Sequence, residues 1–245
     1  MSRRVEARNP RNVVVTLKIL ALDTSTEFCS VALLRDQQEF AREENAGQRH
    51  SELILQMVEA VLGEAGLRLR DLSGIAFGAG PGSFTGLRIA CGVAQGLAFG
   101  AGLTVVPIGS LLALAQAAGA PQVLTCLDAR MGEIYHAAYA REAGDPKHAG
   151  WKEIVAPNVC KADAAPALPG SDWTGCGSGF SAYPAMLAAR YPEQLGRVDA
   201  ELYPHARAVA RLAQPVLAAG GGVSPERALP LYVRDKVAFK MHERR

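Results

Sequence analysis

Residues 17–44 read LKILALDTSTEFCSVALLRDQQEFAREE, and this stretch decides the fold class. Leu17 to Leu22 predicts a strand that ends on Asp23-Thr24-Ser25-Thr26, small polar residues able to bond backbone groups or phosphate. Phe28 to Arg35 alternates as a second strand, which Asp36-Gln37 turns into a third from Glu39 to Glu44. Ser51 is placed to cap a helix from Glu52 to Glu64, with Ile54, Val58 and Val61 on one face and Leu55 and Leu62 widening the stripe. Gly74 to Phe77 predicts a buried strand, and the loop from Gly78 to Gly86 feeds a helix to about Phe99. A strand from Leu103 to Val106 and a helix from Ser110 to Ala118 follow.

A second strand-led unit opens with Val123 to Leu127 and Asp128-Ala129-Arg130-Met131-Gly132-Glu133. Ile134, Tyr135 and Tyr139 continue it as an extended segment, and residues 142–150 read as a loop. Beyond lie a strand near Lys152–Val155, a helix near Tyr183–Arg190 and a helix from His205 to Leu217. The order of elements predicts an α/β fold with mixed sheets and two lobes. The expected divisions are a disordered extension over 1–16, a first lobe over 17–118, a smaller second lobe over 119–233 and a basic tail over 234–245.

Of 245 residues, 49% are hydrophobic and 20% charged, which excludes a disordered or coiled-coil protein. The formal net charge is +2, but its distribution matters more. Arg3, Arg4, Arg8 and Arg11 against Glu6 leave residues 1–16 at +3. Arg234, Lys236, Lys240, Arg244 and Arg245 against Asp235 and Glu243 leave residues 234–245 at +3 as well. The body between them carries −4 and attracts a phosphate backbone poorly, so direct nucleic-acid contact is expected only from the tails. The widely spaced Cys29, Cys91, Cys126, Cys160 and Cys176 argue against a disulfide framework and predict buried thiols in a cytoplasmic setting. No signal peptide is expected, because Lys18 interrupts the apolar run of Val13-Val14-Val15-Thr16-Leu17. Ile89 to Leu127 holds no charged residue, yet glycines and Pro107 and Pro121 cut it into core-length pieces, so no membrane span is expected.

Candidate chemistry is sparse. His50, His136, His148, His205 and His242 lack the spacing of a helical metal pair, so no metal is expected. Neither Ser83 nor Ser178 sits in a GxSxG elbow. The 78–86 loop is neither a Walker A nor a Rossmann fingerprint; it feeds a helix N-terminus with Arg88 one turn in, which suits an anion, and equally suits a tight turn with close helix–strand packing. The candidate nucleotide or anion residues are Asp23, Thr24, Ser25, Gly80, Gly82, Ser83, Arg88 and Asp128. Asp23 and Asp128 each end a predicted strand, so they can hold Mg²⁺ on a nucleotide or simply cap turns.

Five segments in order, Ile19 to Thr26, His50-Ser51-Glu52, Gly80-Pro81-Gly82-Ser83-Phe84-Thr85-Gly86-Leu87-Arg88, Asp128 to Tyr135, and Pro230-Leu231-Tyr232-Val233-Arg234, resemble the TsaB (YeaZ) family. The resemblance implies an actin-like, Hsp70-like and sugar-kinase fold of two RNase H-like lobes. It implies a non-catalytic partner subunit in making the threonylcarbamoyl-adenosine modification of tRNA, paired with a catalytic paralogue, TsaD, and joined by the ATPase TsaE. TsaD carries an HxxxH metal pair that this chain lacks. The tRNA is then the substrate of the complex, with ATP or ADP and Mg²⁺ acting at that level and no cofactor required by this chain. The resemblance also implies a helical partner surface on the first lobe, for which Leu55, Val58, Leu62, Ala90, Ala94 and Leu97 are the candidates. Exposed apolar helices would also favour a homodimer when the chain is alone. The competing functions are an autonomous Mg²⁺-dependent ATPase or kinase using Asp23 and Asp128, and a metallopeptidase, which the histidine spacing disfavours.

Overall fold

The computed structural model describes residues 16–142 and 150–233; the basic tail, nearly all of the expected extension and most of the 142–150 loop lie outside them. The first unit comprises β1 (Lys18–Asp23), β2 (Phe28–Arg35), β3 (Gln38–Asn45), α1 (His50–Ala65), β4 (Gly74–Gly80), α2 (Phe84–Ala101), β5 (Val105–Gly109) and α3 (Ser110–Ala118). The second comprises β6 (Gln122–Asp128), β7 (Glu133–Arg141), β8 (Trp151–Lys161), β9 (Trp173–Cys176), α4 (Ser178–Ala182), α5 (Pro184–Arg190), β10 (Leu195–Asp199) and α6 (Ala206–Ala218).

Each unit contributes a five-stranded sheet, in the orders β3-β2-β1-β4-β5 and β10-β9-β6-β7-β8. In the first, β1, β2 and β3 pair antiparallel while β4 and β5 run parallel to β1. The second repeats this pattern, with β6, β7 and β8 antiparallel and β9 and β10 parallel to β6. The chain thus uses one topology twice, although its sequence shows no visible repeat. This is the two-lobed α/β architecture that the element order predicts.

Strand alternation divides the apolar residues between faces. From β1, Ile19 and Ala21 join Ala32, Leu34, Ala76 and Val106 in an inner core, while Leu20 and Leu22 join Val31, Leu33, Ile75 and Phe77 beneath α1 and α2. The inner core holds α3 and α6, and it continues into the second sheet through Val123, Leu127, Ala137 and Tyr139. Helix α6 lies on β1, β2, β4 and β5 of the first sheet, whereas α3 lies on β6 and β7 of the second. The two units therefore exchange covering helices. A third core, with Leu124, Cys126, Ile134, Trp173 and Phe180, fills the outer face of the second sheet.

Several expected boundaries move. Helix α1 starts at His50 after Arg49, with no side-chain cap, so Ser51 is not its N-cap. Instead His50 Nε2 lies 2.9 Å from the Thr26 carbonyl and ties the helix entry to the β1–β2 turn. The helix expected near Tyr183–Arg190 is α5, which Pro184 opens at its first turn, while the short α4 just before it was not expected. Strands β9 and β10 were not expected from the sequence at all.

Leu212 of α6 is 2% exposed between the sheets. Leu212→Ala should lower unfolding stability by about 2–4 kcal/mol, seen as a reduced urea midpoint with an unchanged slope.

Candidate functional site

The β1–β2 turn and the β4–α2 loop meet at one end of the first sheet. Asp23 closes β1 and is 1% exposed. Its Oδ1 accepts from the Ser25 backbone N–H at 2.9 Å and the Ser25 hydroxyl at 2.7 Å. Its Oδ2 is buried with no hydrogen-bond partner among the described residues. Burial therefore pushes the carboxyl up to about 6, against the opposing pull of the two Ser25 bonds. Gly78 leaves the space that Oδ2 occupies: a Cβ there would stand 1.9 Å from it.

The glycine loop closes on the same turn. Ser83 N–H donates to the Ser25 carbonyl at 2.7 Å, and the Thr24 hydroxyl donates to the Gly86 carbonyl at 2.7 Å. A Cβ at Gly86 would meet the Thr24 carbonyl oxygen at 1.8 Å, and one at Gly82 would meet that of Ser25 at 2.3 Å. Ser83 Oγ accepts from Gly86 N–H and caps α2, and Ser110 Oγ accepts from Gly80 N–H at 3.1 Å. Of the two readings open for this loop, the geometry displays close packing.

Arg88 is similarly engaged. Its Nε donates to the Tyr232 hydroxyl at 3.1 Å, and its guanidinium lies 3.8 Å from the Phe84 ring centroid. Leu231 N–H donates to the Ala79 carbonyl at 2.7 Å. The cavity left among Pro81, Phe84, Leu87, Tyr135, Leu231 and Tyr232 measures only ≈ 40 Å³.

Asp128 stands at the start of the β6–β7 turn, where it holds the turn together. Its Oδ1 accepts from Arg130 N–H at 2.9 Å and the Tyr183 hydroxyl at 3.2 Å, and its Oδ2 lies 3.3 Å from Arg130 Nη1. Arg130, Met131 and Gly132 all have positive φ, so the Asp128 bonds brace a run of left-handed residues. No cluster of three or more His, Cys, Asp or Glu side chains is arranged to hold a metal among the described residues. His50, His136 and His205 make structural bonds, to the Thr26 carbonyl, the Tyr191 hydroxyl and the Ala208 N–H respectively.

The proposed partner face needs correction. Val58, Leu62, Ala90 and Ala94 are buried against the chain's own first sheet and cannot meet another protein. Leu55 is 48% exposed, and Leu97 is partly exposed beside a groove of ≈ 490 Å³ lined by Arg68, Leu69, Arg70, Gly96, Gly100 and Ala101. Phe99, which periodicity did not single out, is 79% exposed. A Cβ added at Gly92, Gly96 or Gly100 would meet nothing within 4 Å, so these residues form an open stripe. The signal was present as glycines at every fourth position with an aromatic residue among them.

The family described as TsaD, tRNA N6-adenosine threonylcarbamoyltransferase, matches residues 41–239. The chain is 39% identical to the tRNA threonylcarbamoyladenosine biosynthesis protein TsaB of Escherichia coli K12, over 91% of this chain and 97% of that protein. It is also 39% identical to TsaB of Haemophilus influenzae, over 91% and 96% respectively. Among solved structures, YeaZ from Pseudomonas aeruginosa superposes with a TM-score of 0.79 at 40% identity, covering 88% of this chain and 99% of that one. No helix among the described residues is long and apolar enough to cross a membrane.

Asp23 has a testable signature. Its carboxyl titrates near 6 in the fold against 3.8 when free, so folding favours the protonated form. The stability it contributes is complete below about pH 3.8 and is lost as pH rises through about 6. Relative to Asp23→Asn, which does not ionise, the wild type should lose on the order of 3 kcal/mol between pH 4 and pH 7. Chemical unfolding of both proteins across that range measures it; parallel pH profiles would disprove the assignment.

Proposed function

Because the chain belongs to the TsaB (YeaZ) family, we propose that it is the non-catalytic partner subunit of a tRNA threonylcarbamoyltransferase complex. It pairs with the catalytic paralogue TsaD, with TsaE joining, and supports transfer of the threonylcarbamoyl group to N6 of adenosine 37 in tRNAs that read ANN codons. The observation that carries this reading is the free face of α1 and α2: exposed Leu55 and Phe99, partly exposed Leu97, and the open stripe of Gly92, Gly96 and Gly100. Glycines without neighbours let a second helix approach to backbone contact, and flanking apolar side chains supply the area to bury. The same face would serve a homodimer when TsaD is absent.

The crevice supports a non-catalytic role. Asp23, Ser83, Arg88 and Asp128 are engaged in bonds that hold turns, a helix start and the C-terminal segment. ATP or ADP with Mg²⁺ acts at the level of the complex. The acidic body leaves tRNA to the partner and to the basic tails, and the setting is cytoplasmic.

Co-purification with TsaD, followed by a tRNA modification assay with this chain omitted, tests the proposal. Modification should require the chain. Leu55→Glu and Phe99→Glu should each weaken TsaD binding by about 30-fold or more while leaving the thermal midpoint within a few degrees of wild type. Unchanged affinity in both variants would sink the face assignment. ATP turnover by the isolated chain that vanished in Asp23→Ala would instead establish the autonomous ATPase.

A further inference from the structure

The Pro230-Leu231-Tyr232-Val233 segment has no role in the partner reading, yet the path of the chain around it is closely specified. After α6, Val223 exchanges backbone hydrogen bonds with Val105 at 2.8 and 2.9 Å and extends the edge of the first sheet. The Ala228 carbonyl then accepts from Gln95 Nε2 at 2.8 Å and from Cys91 Sγ at 3.2 Å, which fastens the segment along α2. Leu231 N–H reaches the Ala79 carbonyl at the end of β4, and the Leu231 carbonyl lies where a Cβ at Gly80 would stand, 2.6 Å away. Tyr232 completes the run, with its hydroxyl on Arg88 and its ring 5.7 Å from that of Phe84.

Those anchors all belong to the first unit, but the space they enclose does not. Tyr135 of β7, in the second sheet, lines the same ≈ 40 Å³ cavity as Pro81, Phe84, Leu231, Tyr232 and Val233. The segment therefore borders the crevice between the β4–α2 loop and the second sheet, with Tyr135 lining the same cavity from the other lobe. Leu231 and Tyr232 are about half exposed, at 49% and 48%, so opening would uncover only the faces of Leu231, Tyr232 and Val233 that border the cavity.

We propose that residues 229–233 are a latch in cis, which clamps the β4–α2 loop of one lobe to β7 of the other and holds the crevice shut. Any ligand that enters there must first displace the latch. The inference is independent of the partner reading, since it rests on the bonds and lining of residues 228–233, which that reading does not use.

Hydrogen–deuterium exchange of the full chain tests it, comparing wild type with Tyr232→Ala and Leu231→Gly. Amides in 81–88 and 130–136 should exchange about tenfold faster together, while those of β1 and α6 keep wild-type rates. Tyr232→Phe, which retains the ring and loses only the hydroxyl bonded to Arg88, keeps the test open if the larger changes unfold the chain. It should accelerate both stretches by about two- to threefold. Acceleration of 81–88 alone would reduce the segment to a staple within one lobe, and no acceleration at either stretch would make it a passive tail. Either result overturns the latch.

Discussion

Backbone-to-backbone contact between the β1–β2 turn and the β4–α2 loop is the constraint on which this structure rests. Thr24 and Ser25 press against Gly86 and Gly82 with no room for a side chain, and Asp23 presses against Gly78 in the same way. This contact fixes where β4 ends and where α2 begins, and it orients the Ser83 cap. The direction of α2 then sets which of its sides faces the sheet, which receives the C-terminal segment and which stays open. A buried carboxylate at the centre of the contact is energetically unfavourable at neutral pH, which marks the arrangement as one fixed by geometry more than by stability.

Helix α2 shows how one element serves several surfaces. Leu87, Ala90, Ala94 and Ala98 pack on the first sheet; Arg88, Cys91 and Gln95 hold residues 228–232; Gly92, Gly96, Phe99 and Gly100 face outward. Ala90, Ala94 and Ala98 are small where the helix meets the sheet, whereas Gly92, Gly96 and Gly100 have no neighbour within 4 Å of an added Cβ. Much of the charge-free run from Ile89 to Leu127 is buried in α2, β5, α3 and β6, and its exposed members include the glycines and Phe99 of the outward stripe.

Much of the fold was legible because its central strands and helices carry strong local signals. The bounds of β2 and α3 agree with the alternation and the apolar run that predict them. Strands β9 and β10 were invisible because they are short and carry Gly175 and Gly196; the burial of β9 comes from neighbours distant in sequence, and β10 is largely exposed. At the site, the glycine loop stood out, but choosing between anion binding and close packing required the carbonyls of Thr24 and Ser25, roughly sixty residues earlier in the chain. Val58, Leu62, Ala90 and Ala94 were misread for a related reason. Periodicity identifies an apolar stripe, and only the fold says that this stripe faces inward while Leu55 and Phe99 face out.

The exchange of α3 and α6 between the lobes bears on how the chain is made. On the ribosome, β1 to β5 emerge long before α6, so the inner face of the first sheet, with Ile19, Ala21, Ala32 and Ala76, waits without its main cover until Ala218 has been synthesised. The two halves share the inner core that α3 and α6 complete. Vectorial synthesis, which lets many two-domain proteins complete one domain at a time, here delivers an unfinished first lobe that depends on the last helix for closure.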